Sequence, residues 1–237
     1  MAYRPIFSVL IMLAAGPVSA GSLPNPVLLV ADFNDRTLNV QIGSGGAVVG
    51  EPVSISSGLQ AVVRPAGVLP TPSLQLKQSA TGAARFATFE FLGGEEVTTG
   101  KLSVFMVLKP ATLDRFLVGI REGSGGAAKE FASLLFKSDG EIALNDVNPT
   151  VTLSSTYSAG QVLVFEFIYD LDAGTYDLLL NNVRLIDDRA HGVVGRGIGS
   201  VWIGTDPATA STSALFLDDL SVTRPSLLAI FDDSFEF

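Results

Sequence analysis

The sequence predicts an all-β protein built as one antiparallel sandwich of two sheets. Short apolar segments rich in Val, Ile, Leu and Phe recur along the chain, and Gly, Pro, Asn and Asp separate them. No segment after the N-terminus keeps the apolar period of an amphipathic helix. About fourteen such segments at this spacing are typical of a single two-sheet sandwich rather than two domains.

The composition excludes several classes of protein. The 237 residues include 24 Gly, 12 Pro, one His and no Cys, and only 16% are charged. So few charges exclude a disordered acidic chain and a coiled coil. Without Cys there are no disulfides, zinc–thiolate centres or cysteine nucleophiles, and a single His excludes a His-rich metal site.

The N-terminus has the organisation of a secretory signal peptide. Arg4 supplies the positive charge, residues 6–15 are apolar except for Ser8, and Val18-Ser19-Ala20 offers the small residues of a cleavage site. The apolar stretch is about half the length that a membrane span requires. We therefore expect cleavage after Ala20, a secreted or periplasmic protein and no membrane span.

We expect residues 21–225 to form one domain, because no internal repeat or linker interrupts them. Residues 226–237 follow a proline and form a C-terminal tail. The tail is similar to the Ile-Phe-x-Asp-Gly-Phe-Glu endings of many secreted proteins of Gram-negative bacteria, with Ser234 in place of glycine. It is interpreted either as a sorting or processing signal or as an apolar edge strand.

The charge balance limits the partners. Without the signal peptide the chain has 14 Lys and Arg against 24 Asp and Glu, a net charge of −10. Such a protein repels nucleic acid and anionic lipid, so we expect neither as a partner. Neutral glycans, and calcium with its preference for oxygen ligands, are compatible with this charge.

Two predicted strands have apolar residues on both faces. Leu102–Leu108 and Val162–Tyr169 are therefore expected at the centre of a sheet, covered on both sides. Glu166 interrupts the second strand, and a carboxylate there must be paired, hydrogen-bonded or on a wet face.

The pattern becomes more specific over residues 160–224. A strand ending in Tyr-Asp is followed by a turn with Gly174, a strand, Asn181-Asn182, a short strand, VWIGTD and LFLDDLSVTRP. This order resembles the C-terminal half of a concanavalin A-like jelly roll of the laminin G-like kind, within the lectin and glucanase superfamily. Asn181-Asn182 replaces the usual Asn-Gly turn, and Asn tolerates the positive φ required there.

The resemblance implies a secreted bacterial member of that superfamily, and jelly rolls of this kind often join the first and last strands through calcium. Asp32 lies near the end of the first predicted strand, and Asp218 and Asp219 lie in the last. Alternation places Asp218 on one face with Phe216, Leu220 and Val222, where a buried carboxylate needs compensation. We expect either a structural Ca²⁺ at Asp32, Asp218 and Asp219, or an aspartate that accepts backbone N–H bonds.

Trp202 is the candidate for contact with a sugar. It is the only tryptophan, and if Val201 and Ile203 point into the core, its ring faces the other way. The alternative is that the ring packs beneath a loop. A predicted strand ends at Ile186, and the loop that follows it would add polar contacts from Asp187, Arg189 and His191.

No catalytic motif of this superfamily is present. The sequence lacks a Glu-x-Asp-x-x-Glu strand, an Arg-x-Glu-x-Arg strand and a Gly-x-Ser-x-Gly elbow, although an atypical pair such as Glu90 with Glu166 stays open. We predict a secreted, non-enzymatic module that binds carbohydrate or a cell-surface glycan. The alternatives are a divergent polysaccharide hydrolase or lyase and a purely structural or adhesion module.

Overall fold

The structure, a computed structural model, describes residues 26–43, 50–78, 83–123, 128–193, 195–206 and 213–225. Over these residues the chain forms fifteen strands in two antiparallel sheets, which confirms the predicted all-β sandwich. The predicted signal peptide, its cleavage site and the tail after Pro225 lie outside the described residues.

The larger sheet has eight strands, numbered in chain order. Seven of them follow the order β13-β12-β11-β6-β15-β4-β3, and β1 pairs with the second half of β15. The strands are β1 (Val27–Ala31), β3 (Leu59–Arg64), β4 (Ser73–Gln78), β6 (Lys101–Pro110), β11 (Leu163–Asp170), β12 (Thr175–Leu180), β13 (Val183–Ala190) and β15 (Ala214–Thr223).

The second sheet has seven strands in the order β10-β9-β8-β7-β14-β5-β2. They are β2 (Ser54–Ile55), β5 (Arg85–Glu90), β7 (Phe116–Arg121), β8 (Glu130–Phe136), β9 (Glu141–Asn145), β10 (Val151–Thr156) and β14 (Ser200–Thr205). A single 3-10 turn at Leu92–Gly94 is the helical element of the described chain. Among the described residues no helix has the length and apolarity needed to cross a membrane.

Alternate side chains of both sheets form the core. On the central strand β6 the even-numbered residues Leu102, Val104, Met106 and Leu108 are fully buried. The odd-numbered residues of β6 between Lys101 and Lys109 are only half-buried on the outer face, so the prediction that both faces are covered was wrong. On β11 the outward Glu166 accepts a hydrogen bond from Ser103 Oγ at 2.7 Å, one of the three arrangements expected for it.

Two strands of the structure were not predicted from the sequence, and one predicted strand is absent. The apolar alternation of Leu38–Ile42 predicts a strand there, but this segment meets β3 through one isolated bridge, Gln41 to Val62. Strand β3 itself was not predicted, nor was β10, whose sequence VTLSST is rich in Ser and Thr. The Asn181-Asn182 turn between β12 and β13 has φ of 51° and 64°, as predicted.

A β-bulge in β15 corrects the expected faces of the last strand. Asp218 pairs with Val107 of β6, but the next pair is Ser221 with Phe105, so β15 contains one extra residue. Phe216 and Asp218 consequently lie on the outer face, whereas Leu220 and Val222 are in the core. The prediction that these four side chains share a face was wrong, because alternation fails across a bulge.

Two buried tyrosines differ in the hydrogen bonds of their hydroxyl groups, and substitution of each tests this difference. The hydroxyl of Tyr157 lies 2.6 Å from Asp114 O and 2.8 Å from Lys137 O and accepts the Asp114 N–H, whereas the buried Tyr169 hydroxyl has no partner. We expect Tyr157→Phe to lower the free energy of unfolding by about 1–3 kcal/mol, because it leaves buried backbone groups unpaired. Tyr169→Phe should leave it unchanged or raise it. Urea denaturation measures both, and equal losses would contradict the assignment.

Candidate functional site

The candidate site is the outer face of the seven-stranded sheet around Trp202. Register places Trp202 of β14 between Thr88 of β5 and Gly119 of β7. The same row continues through Ser133 of β8 to Asn145 of β9. Because paired residues share a face and their neighbours along each strand are in the core, this row points away from the core. We call it the Trp202 face.

Gly119 allows the indole to lie against the sheet. A Cβ atom built on Gly119 would be 2.2 Å from Nε1 and Cε2 of Trp202, so only glycine fits beneath the ring. Phe86 meets the ring edge-on with centroids 4.1 Å apart, and the Arg121 guanidinium lies over it at 5.8 Å. Such aromatic and cation–π contacts hold the indole in one orientation.

The direction predicted for Trp202 is confirmed, since Val201 and Ile203 are in the core and Trp202 is on the opposite face. The ring is less open than a free sugar-stacking platform, because only 7% of the residue is exposed. Its Nε1 and the Nε of Arg121 are both buried without a hydrogen-bond partner. The face therefore has two donors that no described acceptor satisfies.

The flanking side chains of the row are short and polar. Thr88 is half-buried, Ser133 is buried with Oγ 3.5 Å from the Asn145 carbonyl, and Asn145 is exposed. Asn145 uses its side-chain oxygen to accept from Thr150 Oγ1 at 3.0 Å, which fixes the amide. Hydroxyl and amide groups beside an aromatic surface can bind sugar hydroxyls in both hydrogen-bonding senses.

The other predicted sugar contacts lie elsewhere. Asp187 and Arg189 belong to β13, an edge strand of the eight-stranded sheet, and not to a loop. His191 follows that strand and packs against Phe131 and Tyr169 inside the sandwich. The seven-stranded sheet thus separates His191 from the outward ring of Trp202, and the structure does not bring the predicted residues together.

Arg189 belongs to a buried ion pair. Its Nε donates to Asp146 Oδ2 at 2.7 Å and its Nη2 to Oδ1 at 3.1 Å, while the Tyr176 hydroxyl also donates to Oδ2, at 2.6 Å. Burial opposes ionisation of Asp146, but these bonds and the Asn148 N–H outweigh it and lower its pKa. The pair joins the β9–β10 connection to β12 and β13, so it ties the edges of the two sheets together.

His191 is held as a neutral ring. Its Nδ1 accepts the Val193 N–H at 3.2 Å, its Nε2 is buried without a partner, and burial lowers its pKa. Asp187, in contrast, is exposed and accepts from Arg184 at 2.6 Å. All three residues expected to assist Trp202 therefore make contacts within the protein.

The three aspartates expected to bind calcium are near one another at the β15 bulge. Asp218 is buried, with Oδ2 accepting from Thr71 Oγ1 and Oδ1 accepting the Asp219 N–H at 2.9 Å. Burial raises the pKa of Asp218, and the nearby charges of Asp219 and Asp32 raise it further. Within the described residues, no group of three or more His, Cys, Asp or Glu could hold a metal ion.

The carboxylates that could support catalysis do not converge. Glu90 lies in the seven-stranded sheet and Glu166 on the outer face of the other sheet, so they cannot act on one substrate. Glu122, at the end of β7, is bonded to Arg196 at 2.6 Å and to the Lys129 N–H at 2.7 Å. These bonds lower its pKa, opposite to the change that a general acid needs.

Comparison with known proteins identifies the fold. The chain matches no family model and no curated protein. A structure described as a sialidase superposes on 85% of this chain with a TM-score of 0.62 and 10% identity, and this chain spans 19% of its length. The carbohydrate esterase vb_24B_21 from Shiga toxin-encoding bacteriophage phi24B superposes on 84% of this chain, and on 99% of its own, with a TM-score of 0.55 and 13% identity.

These structures have the two-sheet β-sandwich fold expected from the sequence. The fold is consistent with the concanavalin A-like superfamily, and membership in it stays a prediction. At such low identity they show the fold alone. The finer resemblance to laminin G-like domains stays a prediction.

Substitution of Gly119 tests the geometry of the Trp202 face. Gly119→Ala should displace the indole and cost about 1–3 kcal/mol of unfolding free energy, because the added methyl overlaps the ring. Since Trp202 is the only tryptophan, its emission should shift to the red as the ring gains water. Gly43→Ala is the control, because a Cβ there meets nothing within 4 Å. Unchanged emission in Gly119→Ala would contradict this packing.

Proposed function

We propose that the protein is a non-enzymatic carbohydrate-binding module whose ligand lies on the Trp202 face. The observation that carries the proposal is the outward row in which the indole is flanked by Thr88, Ser133 and Asn145. Sugar rings have apolar C–H faces and hydroxyl edges, so a binding surface needs an aromatic plane with donors and acceptors around it.

Three further features support this function. Trp202 Nε1 and Arg121 Nε are buried donors without acceptors. A ligand rich in hydroxyl oxygens would provide acceptors for both donors once the Arg121 side chain moves. The acidic chain favours a neutral sugar over a polyanion. Both similar structures are named for proteins that act on carbohydrate, one a sialidase and one a carbohydrate esterase.

Secretion is part of the same proposal. A cleaved signal peptide would place residues 21–237 outside the cytoplasm, where polysaccharides and cell-surface glycans are accessible. Mass spectrometry of the protein exported by a bacterial host tests it, with an N-terminus at Gly21 as the expected result. Retention of the intact N-terminus would contradict this part of the proposal.

Ligand binding is tested by thermal melting with neutral oligosaccharides of the cello, xylo and galacto series. A ligand at about 100 times its Kd should add ~2.7 kcal/mol of stability. Asn145→Ala should weaken that effect without unfolding the protein, because this side chain is exposed. Lys101→Ala, on the other sheet, is the control and should retain binding. If no oligosaccharide stabilises the protein, the structural or adhesion function takes the place of this one.

We further propose that calcium binds at Asp218, with Asp32 as the second carboxylate and the Thr71 hydroxyl as a neutral oxygen ligand. The support is electrostatic, since a cation would offset the burial and like-charge repulsion that raise the pKa of Asp218. The hydrogen bonds from Thr71 and the Asp219 N–H already engage both Asp218 oxygens, so binding would rearrange them.

The pH dependence of stability tests the calcium site. Because the pKa of folded Asp218 is raised above its ordinary 3.8, the folded state holds this proton more tightly than the unfolded chain. Without calcium, stability should therefore fall as pH rises from 3.8 through the raised value. Asp218→Asn should flatten this segment of the profile and abolish any rise in Tm on adding Ca²⁺. If Ca²⁺ in place of chelator leaves the Tm of the unsubstituted protein unchanged, Asp218 holds no metal.

A further inference from the structure

Three cations without carboxylate partners lie together on the outer face of the eight-stranded sheet. Arg64, Lys77 and Lys109 make no ion pair within the described residues, although many other described Lys and Arg side chains do. Arg64 donates to two neutral groups, Gln75 Oε1 at 2.8 Å and Asn39 Oδ1 at 3.1 Å. Lys109 donates to the Val68 carbonyl at 2.5 Å.

Sheet register shows how the three cations surround Phe216. Gln75 of β4 pairs with Phe216 of β15, which pairs on its other side with Lys109 of β6. Lys77 is two residues beyond Gln75 on the same strand and therefore on the same face. Arg64 ends the neighbouring strand β3. Lys109 thus lies next to Phe216 on one side, and Lys77 and Arg64 lie on the other side at opposite ends of the Gln75 position, because Arg64 pairs with Ser73.

The space beside Phe216 is a shallow depression of about 290 Å³. Phe216 and Val68 are its apolar surface, Arg64 and Gln75 its polar one, and residues 65–67 of the β3–β4 loop its wall. The loop is anchored because Val68 and Leu69 pack with Val107, Ala214 and Phe216. We call this the Phe216 depression, and its volume is at the lower end of the range for small-ligand sites.

The local charge is opposite to that of the whole protein. Residues 52–89 contain Arg64, Lys77 and Arg85 but no Asp or Glu, in a chain with net charge −9. The nearest carboxylate of the facing strands is Asp218, which is buried and bonded to Thr71. A local group of positive charges attracts an anion at short range even though the whole protein is acidic.

We propose that the Phe216 depression binds a sugar carboxylate, that is, a uronic acid unit of a glycan. The carboxylate would pair with Arg64, which lines the depression, and Lys77, two residues from Gln75 on β4, would add a positive charge beside it. The C–H face of the ring would pack on Phe216 and Val68, and the hydroxyls would bond to the Gln75 amide. Charge-assisted bonds to Lys and Arg are the strong ones in such sites. This site is independent of the Trp202 face and lies on the opposite outer surface of the sandwich.

The size of the depression and the net charge together restrict the ligand. A densely charged polyanion would meet the long-range repulsion of the chain, whereas one carboxylate meets mainly the three local cations. A single uronic acid unit, free or at the end of an otherwise neutral chain, therefore fits better than a polyuronate. Its affinity should fall as salt is added.

A matched pair of sugars tests the proposal on residues 21–237. Methyl galacturonide and methyl galactoside differ only in a carboxylate against a hydroxymethyl group. NMR titration should show binding of the galacturonide, with amide shifts at Gly67 and Gln75. The galactoside should bind at least about fivefold more weakly, because it lacks one charged contact. Trigalacturonate is the third probe, and weaker binding of this trianion than of the single unit is expected.

The variants separate this site from the Trp202 face. Lys77→Gln should weaken galacturonide binding about fivefold or less, and it should fold normally because Lys77 has no described partner. Lys101→Gln removes the same charge at the far end of the sheet and should leave binding unchanged. The proposal is overturned if the two methyl sugars bind equally, if trigalacturonate binds more tightly than the single unit, or if the galacturonide does not bind. It is also overturned if galacturonide binding is lost in Asn145→Ala but not in Lys77→Gln. The location of the amide shifts separates the two sites, because a sugar bound at the Trp202 face shifts Asn145 rather than Gly67 and Gln75, so failure of this proposal leaves neutral-sugar binding at the Trp202 face open.

Discussion

The packing of alternate side chains between the two sheets is the constraint on which the rest of the structure depends. Each central strand gives every second residue to a shared apolar core, and those residues are fully buried on β6, β7, β11 and β14. Burial of this much apolar surface is the main favourable term in folding. Because the core uses one set of positions, only the outward set and the connections are free to carry chemistry.

The outer faces of the two sheets differ in the side chains that they present. The seven-stranded sheet presents a tryptophan with short polar neighbours. The eight-stranded sheet presents half-buried apolar residues and three cations that form no ion pair within the described part of the chain. Between the sheets, the buried Asp146–Arg189 pair fixes the edge at which β9–β10 meets β12–β13. Its cost of desolvation is met by four hydrogen bonds to one carboxylate, so it serves to align the sheets more than to stabilise them.

Much of the fold follows from the sequence because alternation and turn residues are local signals. Strands such as β7 and β12, and the Asn181-Asn182 turn, were predictable for this reason. Strand β10 was not, since a Ser/Thr-rich edge strand has no apolar period to detect. The direction of Trp202 was predictable from its neighbours, but its near-complete coverage by Phe86 and Arg121 depends on pairing between distant strands.

The remaining site residues depend on register, which a single sequence does not specify. Gly119 is a visible signal, since a glycine inside a strand often marks a close approach, but its partner across β14 is known only once the strands are paired. The same holds for Arg64, Lys77 and Lys109, which come from three strands. His191 and Asp187 are near in sequence to a predicted strand, yet β13 continues to Ala190 and points them away from Trp202.

The bulge at Asp219 has a consequence for how this chain can vary over evolution. Asp219 holds a left-handed φ of 49°, and the one extra residue reverses the inward and outward sets of β15 beyond it. Deletion of Asp219 would remove this extra residue, so Leu217, Leu220 and Val222 would stay in the core by ordinary alternation and β15 would pair with β6 without interruption. Homologues should therefore be able to lose or keep one residue at this position with the same core, and an alignment can place a one-residue gap there without moving the strands on either side.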